Sequence, residues 1–549
     1  MSLPVFAALL DRLAFTPSRL DKLKLIQAHL IGNPDPERGY ALAALIGALD
    51  FPQVKAQAIR RAAETRLDST LFAWSYEFVG DLAETVALIW PERQPEQAAP
   101  LLSEVVASLA QARRDEAQAK LEVWLDRLDA IGRWALLKLI TGGLRVGVST
   151  ALARQAVAAL GGVATAEIEE IWSTLSPPYL DLFAWLEGRA GRPAGFGAGR
   201  FRPVMLAQAL DEDRDLQEFK PGDYAAEWKW DGVRVQAVSE GGRRELYSRT
   251  GDRLSDAFPD LLEALDFDGV IDGELLVMRQ GQAAPFTELQ ARLNRKSPSR
   301  GLLAQRPAGL RAYDLLVWDG TDLRGLPFAQ RRIRLERAVA AVASSRIDLS
   351  PLVAFECWGS LRSLRAAPPA GEPCRAEGLM LKRWDSVYVG GRPRGPWFKW
   401  KRDPFLVDAV LLYAQRGHGR RSGTYSDFTF GVWDEDAEGR RALTPVGKSY
   451  FGFTDAELVQ LDAYVRAHTE ARFGPVRQVI ARVDQGLVLE VAFEGLQRSS
   501  RHKAGLAMRF PRLHRIRWDK SPAEADNLAT LERILRRMES GDRTSDQPL

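Results

Sequence analysis

Apolar residues recur at helical spacing through the first third of the chain. Leu20, Leu23, Ile26 and Leu30 share one face behind Ser18, a residue suited to capping a helix. Leu121, Trp124, Leu125 and Leu128 form a second stripe. Leu152, Ala156, Val157 and Leu160 form a third, after Ser149-Thr150. Together they predict an all-helical region over residues 1–187, with each stripe turned to a core. One turn between helices reads Thr141-Gly-Gly-Leu-Arg-Val-Gly-Val-Ser149. Its glycines let backbone amides approach a phosphate, and Lys138 and Arg145 add charge. A plain helix–helix turn has the same composition.

The pattern then changes. Gly188-Arg-Ala-Gly-Arg-Pro-Ala-Gly-Phe-Gly-Ala-Gly-Arg200 is Gly-rich, basic and poor in core residues, as a linker is. Beyond it, short β-like runs cover 233–238, 269–278, 310–318 and 379–382, alternating with helical stretches at 259–265 and 331–343. This is the signature of a mixed α+β domain. From Pro404 come runs at 407–413, 428–433 and 486–493, with a helical stretch at 455–468. A small β-barrel with one helix fits the OB-fold pattern. Residues 528–538 read as a closing helix and 539–549 as a disordered tail. No internal repeat is present.

Length agrees with several domains: 549 residues are too many for one core, and about three domains are expected. Net charge is only +3, but Lys and Arg number 75, so their placement matters more than their sum. Two cysteines, Cys357 and Cys374, exclude a disulfide framework and a four-Cys zinc site, and suit a reducing compartment. The five histidines (29, 418, 468, 502 and 514) show no metal-ligand spacing. No apolar run reaches the roughly 20 residues a membrane span needs, and Met1-Ser-Leu-Pro-Val opens no secretory signal. A cytoplasmic protein without membrane association is expected.

The most informative string is Glu227-Trp-Lys-Trp-Asp-Gly-Val-Arg234, a lysine in a short turn between two strands. To attack phosphorus, a lysine must lose a proton it normally holds to a pKa near 10.4. Burial or nearby cations would help, and Trp228, Trp230 and Arg234 flank Lys229. A carboxylate follows in Asp272-Gly-Glu274, suited to a ribose or a metal. Trp397-Phe-Lys-Trp-Lys401 alternates by two, so Lys399 and Lys401 share a strand face and can hold a phosphate. The densest basic segment is Arg498-Ser-Ser-Arg-His-Lys503 with Arg509-Phe-Pro-Arg-Leu-His-Arg-Ile-Arg-Trp-Asp-Lys520. Phe510, Leu513, Ile516 and Trp518 interleave it, which marks it as structured. Singly, each segment also reads as an ordinary surface feature.

In order, the segments resemble the motifs of the ATP-dependent DNA ligases, within the covalent nucleotidyltransferase superfamily. The layout is similar to the bacterial branch with a helical N-terminal DNA-binding domain. The resemblance implies that Lys229 carries AMP, Arg234 contacts the ribose side and Glu227 helps read the adenine. It makes Arg249, in Ser248-Arg-Thr-Gly-Asp252, a phosphate contact, and Tyr313 the ring that stacks on adenine. Tyr stands there where many relatives have Phe. Glu377, in Glu377-Gly-Leu-Met-Leu-Lys382, and Glu274 become metal-facing carboxylates for Mg²⁺, with Mn²⁺ as an alternative. Lys399 and Lys401 face the α-phosphate, and Arg517 and Lys520 orient the departing pyrophosphate. The implied domains are 1–187 (helical, DNA-binding), 188–202 (linker), 203–403 (adenylation), 404–538 (OB-fold) and 539–549 (tail). Phe201-Arg-Pro-Val-Met-Leu-Ala207 resembles the segment that introduces the catalytic domain. The implied activity is sealing of 3′-hydroxyl/5′-phosphate nicks in duplex DNA by a monomer, in replication, repair or recombination. RNA ligases and mRNA-capping guanylyltransferases share the lysine motif, but the helical region and the late Arg-x-Asp-Lys argue against capping. An NAD-dependent ligase lacks support because two cysteines cannot build its zinc module. A DNA-binding protein with a dead core is disfavoured by motifs that keep their necessary residues.

Overall fold

Capping chemistry starts the helices where the sequence places it. In the computed structural model, Ser18 Oγ accepts the Asp21 amide at 3.2 Å and opens the helix Arg19–Gly32. Ser149 does the same for Leu152 at 3.2 Å and opens Thr150–Leu160. Described are residues 2–540, apart from 52–53, 93–96, 173, 194–198, 294, 296, 370, 372, 374–375, 418–422 and 436–438. The linker reading falls partly on the excluded residues, and Cys374, His418 and the end of the expected tail fall wholly there. Among the described residues, twelve helices lie between Leu3 and Leu186. Leu121, Trp124, Leu125 and Leu128 are all buried. The first stripe is used only in part: Ile26 and Leu30 are buried, whereas Leu20 is 62% exposed.

The described residues divide into two compact units. One gathers 1–168, 175–193 and 404–532; the other holds 169–174, 194–403 and the chain from 533. The helical region and the C-terminal sheet, read from sequence as separate domains, thus cluster together by contact.

In the second unit two sheets are joined by the lysine turn. A four-stranded sheet has the order Gln208–Ala209, Trp397–Lys401, Gly378–Arg383, Tyr224–Trp228. The other runs Arg243–Ser248, Val233–Glu240, Gly269–Arg279, Ala308–Trp318, Thr321–Asp322, with two short strands added. Tyr224–Trp228 belongs to the first and Val233–Glu240 to the second, so Lys229 lies where the chain crosses between sheets. Gly232 makes the crossing possible, since a Cβ there would sit 2.5 Å from the Leu275 carbonyl oxygen. Val235, Ile271, Leu275, Leu310 and Leu315 anchor the core on the larger sheet. Tyr224, Trp228, Trp230, Leu379 and Trp400 anchor it on the smaller one. The helical stretch expected at 259–265 is shorter, Pro259–Leu262, although Leu265 is buried. That expected at 331–343 starts earlier, at Phe328, whose fully buried ring fixes the entry.

The C-terminal sheet has seven strands curled about Phe405–Arg416, which pairs with Tyr425–Glu435, Val476–Val479 and Val488–Phe493. Its helix, Asp455–Ala467, opens on a Thr454/Glu457 capping box. This is the expected OB-type barrel with one helix. The closing helix runs Leu528–Ser540, so residues 539 and 540 are helical rather than tail. The first residue in the sequence that would break it is Gly541. Among the described residues no helix is long and apolar enough to cross a membrane.

Candidate active site around Lys229

Strand register assembles the site. The Lys229 amide donates to the Gly378 carbonyl (2.9 Å), and the Glu377 amide donates back to the Lys229 carbonyl (2.7 Å). The lysine turn therefore continues the ladder that carries Glu377. Gly378 has φ +145°, and a Cβ there would meet the Trp400 carbonyl oxygen at 2.2 Å. Only glycine allows the strand to leave Glu377 this close to Trp397–Lys401. Across the next pair, Gly378 faces Lys401 and Met380 faces Lys399. The alternation expected of the two lysines holds.

Lys229 Nζ forms an ion pair with Glu377 Oε2. Burial pushes the ammonium's pKa down, but Glu377, and then Glu274, outweigh it, and the net direction is up. This corrects the expectation that neighbouring cations lower it. Trp228 and Trp230 are buried in the core, and Arg234 is held by Asp272. The Glu377 pair thus favours the protonated form of Lys229. Burial raises Glu274 to about 8, a shift that Lys229 opposes and Glu377 reinforces. Lys399 is lowered by burial and then by Lys401, Arg392, Lys229 and Arg249. Through these influences Lys229, Arg249, Arg392, Lys399 and Lys401 share one electrostatic neighbourhood with Glu274 and Glu377.

Beneath them lies a second layer. Arg234 donates to both oxygens of fully buried Asp272 (3.0 and 2.6 Å) and to the Met205 carbonyl (2.6 Å). Tyr388 donates to Asp272 at 2.6 Å. Most of the Arg234 donors are thus committed to the protein. Its guanidinium lies 5.8 Å from the Tyr313 ring centroid. Lys382 Nζ lies 4.7 Å from the same ring and donates to the Tyr313 carbonyl at 3.1 Å. Burial pushes the Tyr313 phenol well up, and Asp272 adds to it. Glu227 is 2% exposed, with one oxygen on Arg332 (3.0 Å) and the other on Lys382 (2.6 Å). Arg249 is exposed on the tight turn after Arg243–Ser248, where the Ser248 amide donates to the Asp252 carbonyl at 2.8 Å.

Glu227, Lys229, Arg234, Arg249, Glu274, Tyr313, Glu377, Lys399 and Lys401 therefore all lie in one unit. Arg517 and Lys520 belong to the other, where Lys520 Nζ meets Asp408 at 2.6 Å and Arg517 meets Asp408 (3.1 Å) and Asp519 (2.9 Å). In the helical region, Lys138 is 6% exposed and bound to Asp81 at 2.6 Å, so it adds no charge to the Gly142–Gly143 turn as had been expected. Asp272, Arg332, Lys382 and Tyr388 are supporting residues not singled out from sequence. Asp272 and Lys382 stand inside quoted motifs. Arg332 and Tyr388 arrive from segments with no local signal.

Among the described residues no cluster of three or more His, Cys, Asp or Glu could hold a metal ion. The donor set is the oxygen pair Glu274 and Glu377. Carboxylate oxygens are the donors a hard divalent cation takes, and burial and then Glu377 raise Glu274, a cost that added positive charge would offset.

Residues 204–401 match the ATP dependent DNA ligase domain, and 421–520 the ATP dependent DNA ligase C terminal region. A "Probable DNA ligase" of Koribacter versatilis is 32% identical over 84% of this chain and 83% of its own length. "DNA ligase 1" of Korarchaeum cryptofilum is 30% identical over 97% and 98%. A "Probable DNA ligase" of Opitutus terrae, 32% identical, is matched over 98% of this chain, which spans only 62% of that relative. The solved structure Pmar-Lig_PreS3 shares the fold at TM-score 0.56 and 18% identity, covering 93% of this chain and 99% of its own. By the motifs its strands assemble and by these relatives, the chain belongs to the ATP-dependent DNA ligase family.

Proposed function

We propose that this ligase seals nicks through an AMP adduct on Lys229, with Glu274 and Glu377 as its metal-facing carboxylates. The observation that carries the reading is the Lys229–Glu377 ion pair beside Lys399, itself lowered by burial and then by Lys401, Arg392, Lys229 and Arg249. In the first step the neutral Lys229 amine attacks the α-phosphorus of ATP. The Lys229 ammonium first gives one proton to solvent; an N–P bond then forms, the P–O bond to pyrophosphate breaks, and a second N–H proton passes to solvent. Lys399 and Lys401 balance charge on the α-phosphate. Tyr313 supplies a face for the adenine, Glu227 an acceptor near it, and Arg234 a donor towards the ribose. Mg²⁺, or Mn²⁺, on Glu274 and Glu377 would supply positive charge opposite the phosphate oxygens. AMP then passes to the 5′-phosphate, which Arg249 holds, and the 3′-hydroxyl displaces AMP. Arg517 and Lys520 serve the pyrophosphate, and the turn from Gly142 to Ser149 grips duplex phosphate, Arg145 contributing charge. The protein acts as a monomer in the cytoplasm.

Intact mass after incubation with ATP and Mg²⁺ tests the central claim. One AMP per chain is expected on wild type and none on Lys229→Ala. An adduct on the variant would move the nucleophile elsewhere. Nicks with RNA on either side would separate DNA from RNA sealing.

A further inference from the structure

Asp408 and Glu490 stand directly opposite each other on paired central strands of the C-terminal sheet. Like charges in that position repel, so the arrangement needs a cation between them. Arg517 supplies it, reaching Asp408 at 3.1 Å and Glu490 at 3.5 Å. Its remaining edge is closed by Asp519, which accepts from Nε (3.0 Å) and Nη2 (2.9 Å). Arg515 at 3.2 Å and His514 at 3.7 Å also face Glu490. Asp408 is 8% exposed, and its backbone is fixed both ways to Asp526, the amide donating to the side chain and the carbonyl accepting from the amide, each at 2.8 Å. The same carboxylate takes Lys520 Nζ at 2.6 Å. Lys520 follows on a turn closed by its amide on the Arg517 carbonyl (3.2 Å). An ammonium has three N–H donors, and this contact uses one.

We infer that Asp408 is a positioning residue for the first step: its immobile carboxylate spaces Arg517 and Lys520 and leaves Lys520 donors for the departing pyrophosphate. Arg517 is the pinned partner of the two, clamped by Asp408, Glu490 and Asp519. The inference rests on the proposal that these cations serve pyrophosphate.

The test is single-turnover adenylylation of the full chain at varied ATP, beside sealing of a pre-adenylylated nick. Asp408→Asn keeps the shape and removes the charge. Its maximal adenylylation rate should fall about tenfold or more, with half-saturating ATP within about threefold and sealing of the pre-adenylylated nick within about twofold. A structural role would lower both steps together, and equal losses would overturn the inference. So would a faster first step, which would make Asp408 a trap for the cations, or a defect confined to ATP affinity. If Asp408→Asn melts early, Glu490→Gln serves instead. It should slow the first step less and spare the last, and no effect on the first step would count against the inference. Lys520→Ala separates the two ideas. If it leaves the first step intact, the pyrophosphate reading fails and the inference with it. If it slows that step while Asp408→Asn does not, only the positioning claim falls.

Discussion

Two clusters of cations and carboxylates in this chain look alike and behave differently. Around Lys229 the charges come from six segments, Lys229, Glu274 and Glu377 lie partly or wholly out of water, and neighbouring charges shift one another's pKa values. Glu274 rises to about 8 and Lys399 falls, each chiefly through burial. Around Asp408 the turn from Arg517 to Lys520 is exposed at its tip. Asp519 drops to about 2 through its bond to Arg517. In the first cluster Glu274 is raised by burial and Glu377 while Lys229 opposes the shift. In the second, Arg517 is clamped by Asp408, Glu490 and Asp519, and Lys520 is held by Asp408. The difference lies in charge matching: burial leaves Glu274 and Lys399 displaced from their ordinary pKa values, whereas Asp408, itself 8% exposed, is matched by Arg517 and Lys520.

The largest effect should come from breaking the first cluster at its centre. Lys229→Ala is expected to lose adenylylation by at least about 10³-fold, while still sealing a pre-adenylylated nick, measured on the same preparation. Loss of that last activity in a folded variant would mean Lys229 does more than carry AMP.

Glu377→Gln should cost about 10²-fold in the first step. It should also move the pH profile. Glu377 is the chief charge raising Lys229, so without it the half-maximal pH of adenylylation should fall. An unmoved midpoint would deny that the pair sets the nucleophile's pKa.

A triple variant, Arg517→Ala, Asp519→Ala and Lys520→Ala, should hurt adenylylation far more than sealing of the pre-adenylylated nick. The last step releases AMP with no pyrophosphate present. Equal losses would reduce this segment to a DNA grip or a structural element.

Arg145→Ala should weaken nick binding and reduce the salt slope of binding by about 1, as for one lost phosphate contact. Arg145 takes φ +46° on a turn braced by Lys22, whose Nζ meets the Val146 carbonyl at 2.6 Å. An unchanged slope would remove this turn from the interface.

The smallest effect concerns stability in the absence of metal. Glu274 titrates near 4.5 when unfolded and at about 8 when folded, so the folded state binds the extra proton in between. Its contribution is complete below pH 4.5 and is lost as pH rises through about 8. The melting temperature of wild type should therefore fall over that window more steeply than that of Glu274→Gln. Parallel curves would show Glu274 to be solvated.

Much was legible along the chain because local chemistry writes itself locally. Helical stripes, Ser and Thr caps, strand alternation at Trp397–Lys401 and the Lys-x-Asp-Gly-x-Arg turn depend on residues within a few positions of one another. These determined the helical, α+β and OB-type regions and singled out Lys229 as the candidate nucleophile. What the chain did not show is which charge meets which. Glu377 lies 148 positions from Lys229 and reverses the expected direction of its pKa. Arg332 and Tyr388 enter the site only because distant segments pack there, and Lys138 adds no charge to the turn from Gly142 to Ser149 because Asp81 claims it. The stripe from Leu20 to Leu30 shows the same limit, since spacing chose the face and packing chose how much of it to bury. Sequence determined the residue types and the local geometry. Tertiary structure decided charge partnership and desolvation, because Coulomb energy depends on distance through space and on exclusion of water.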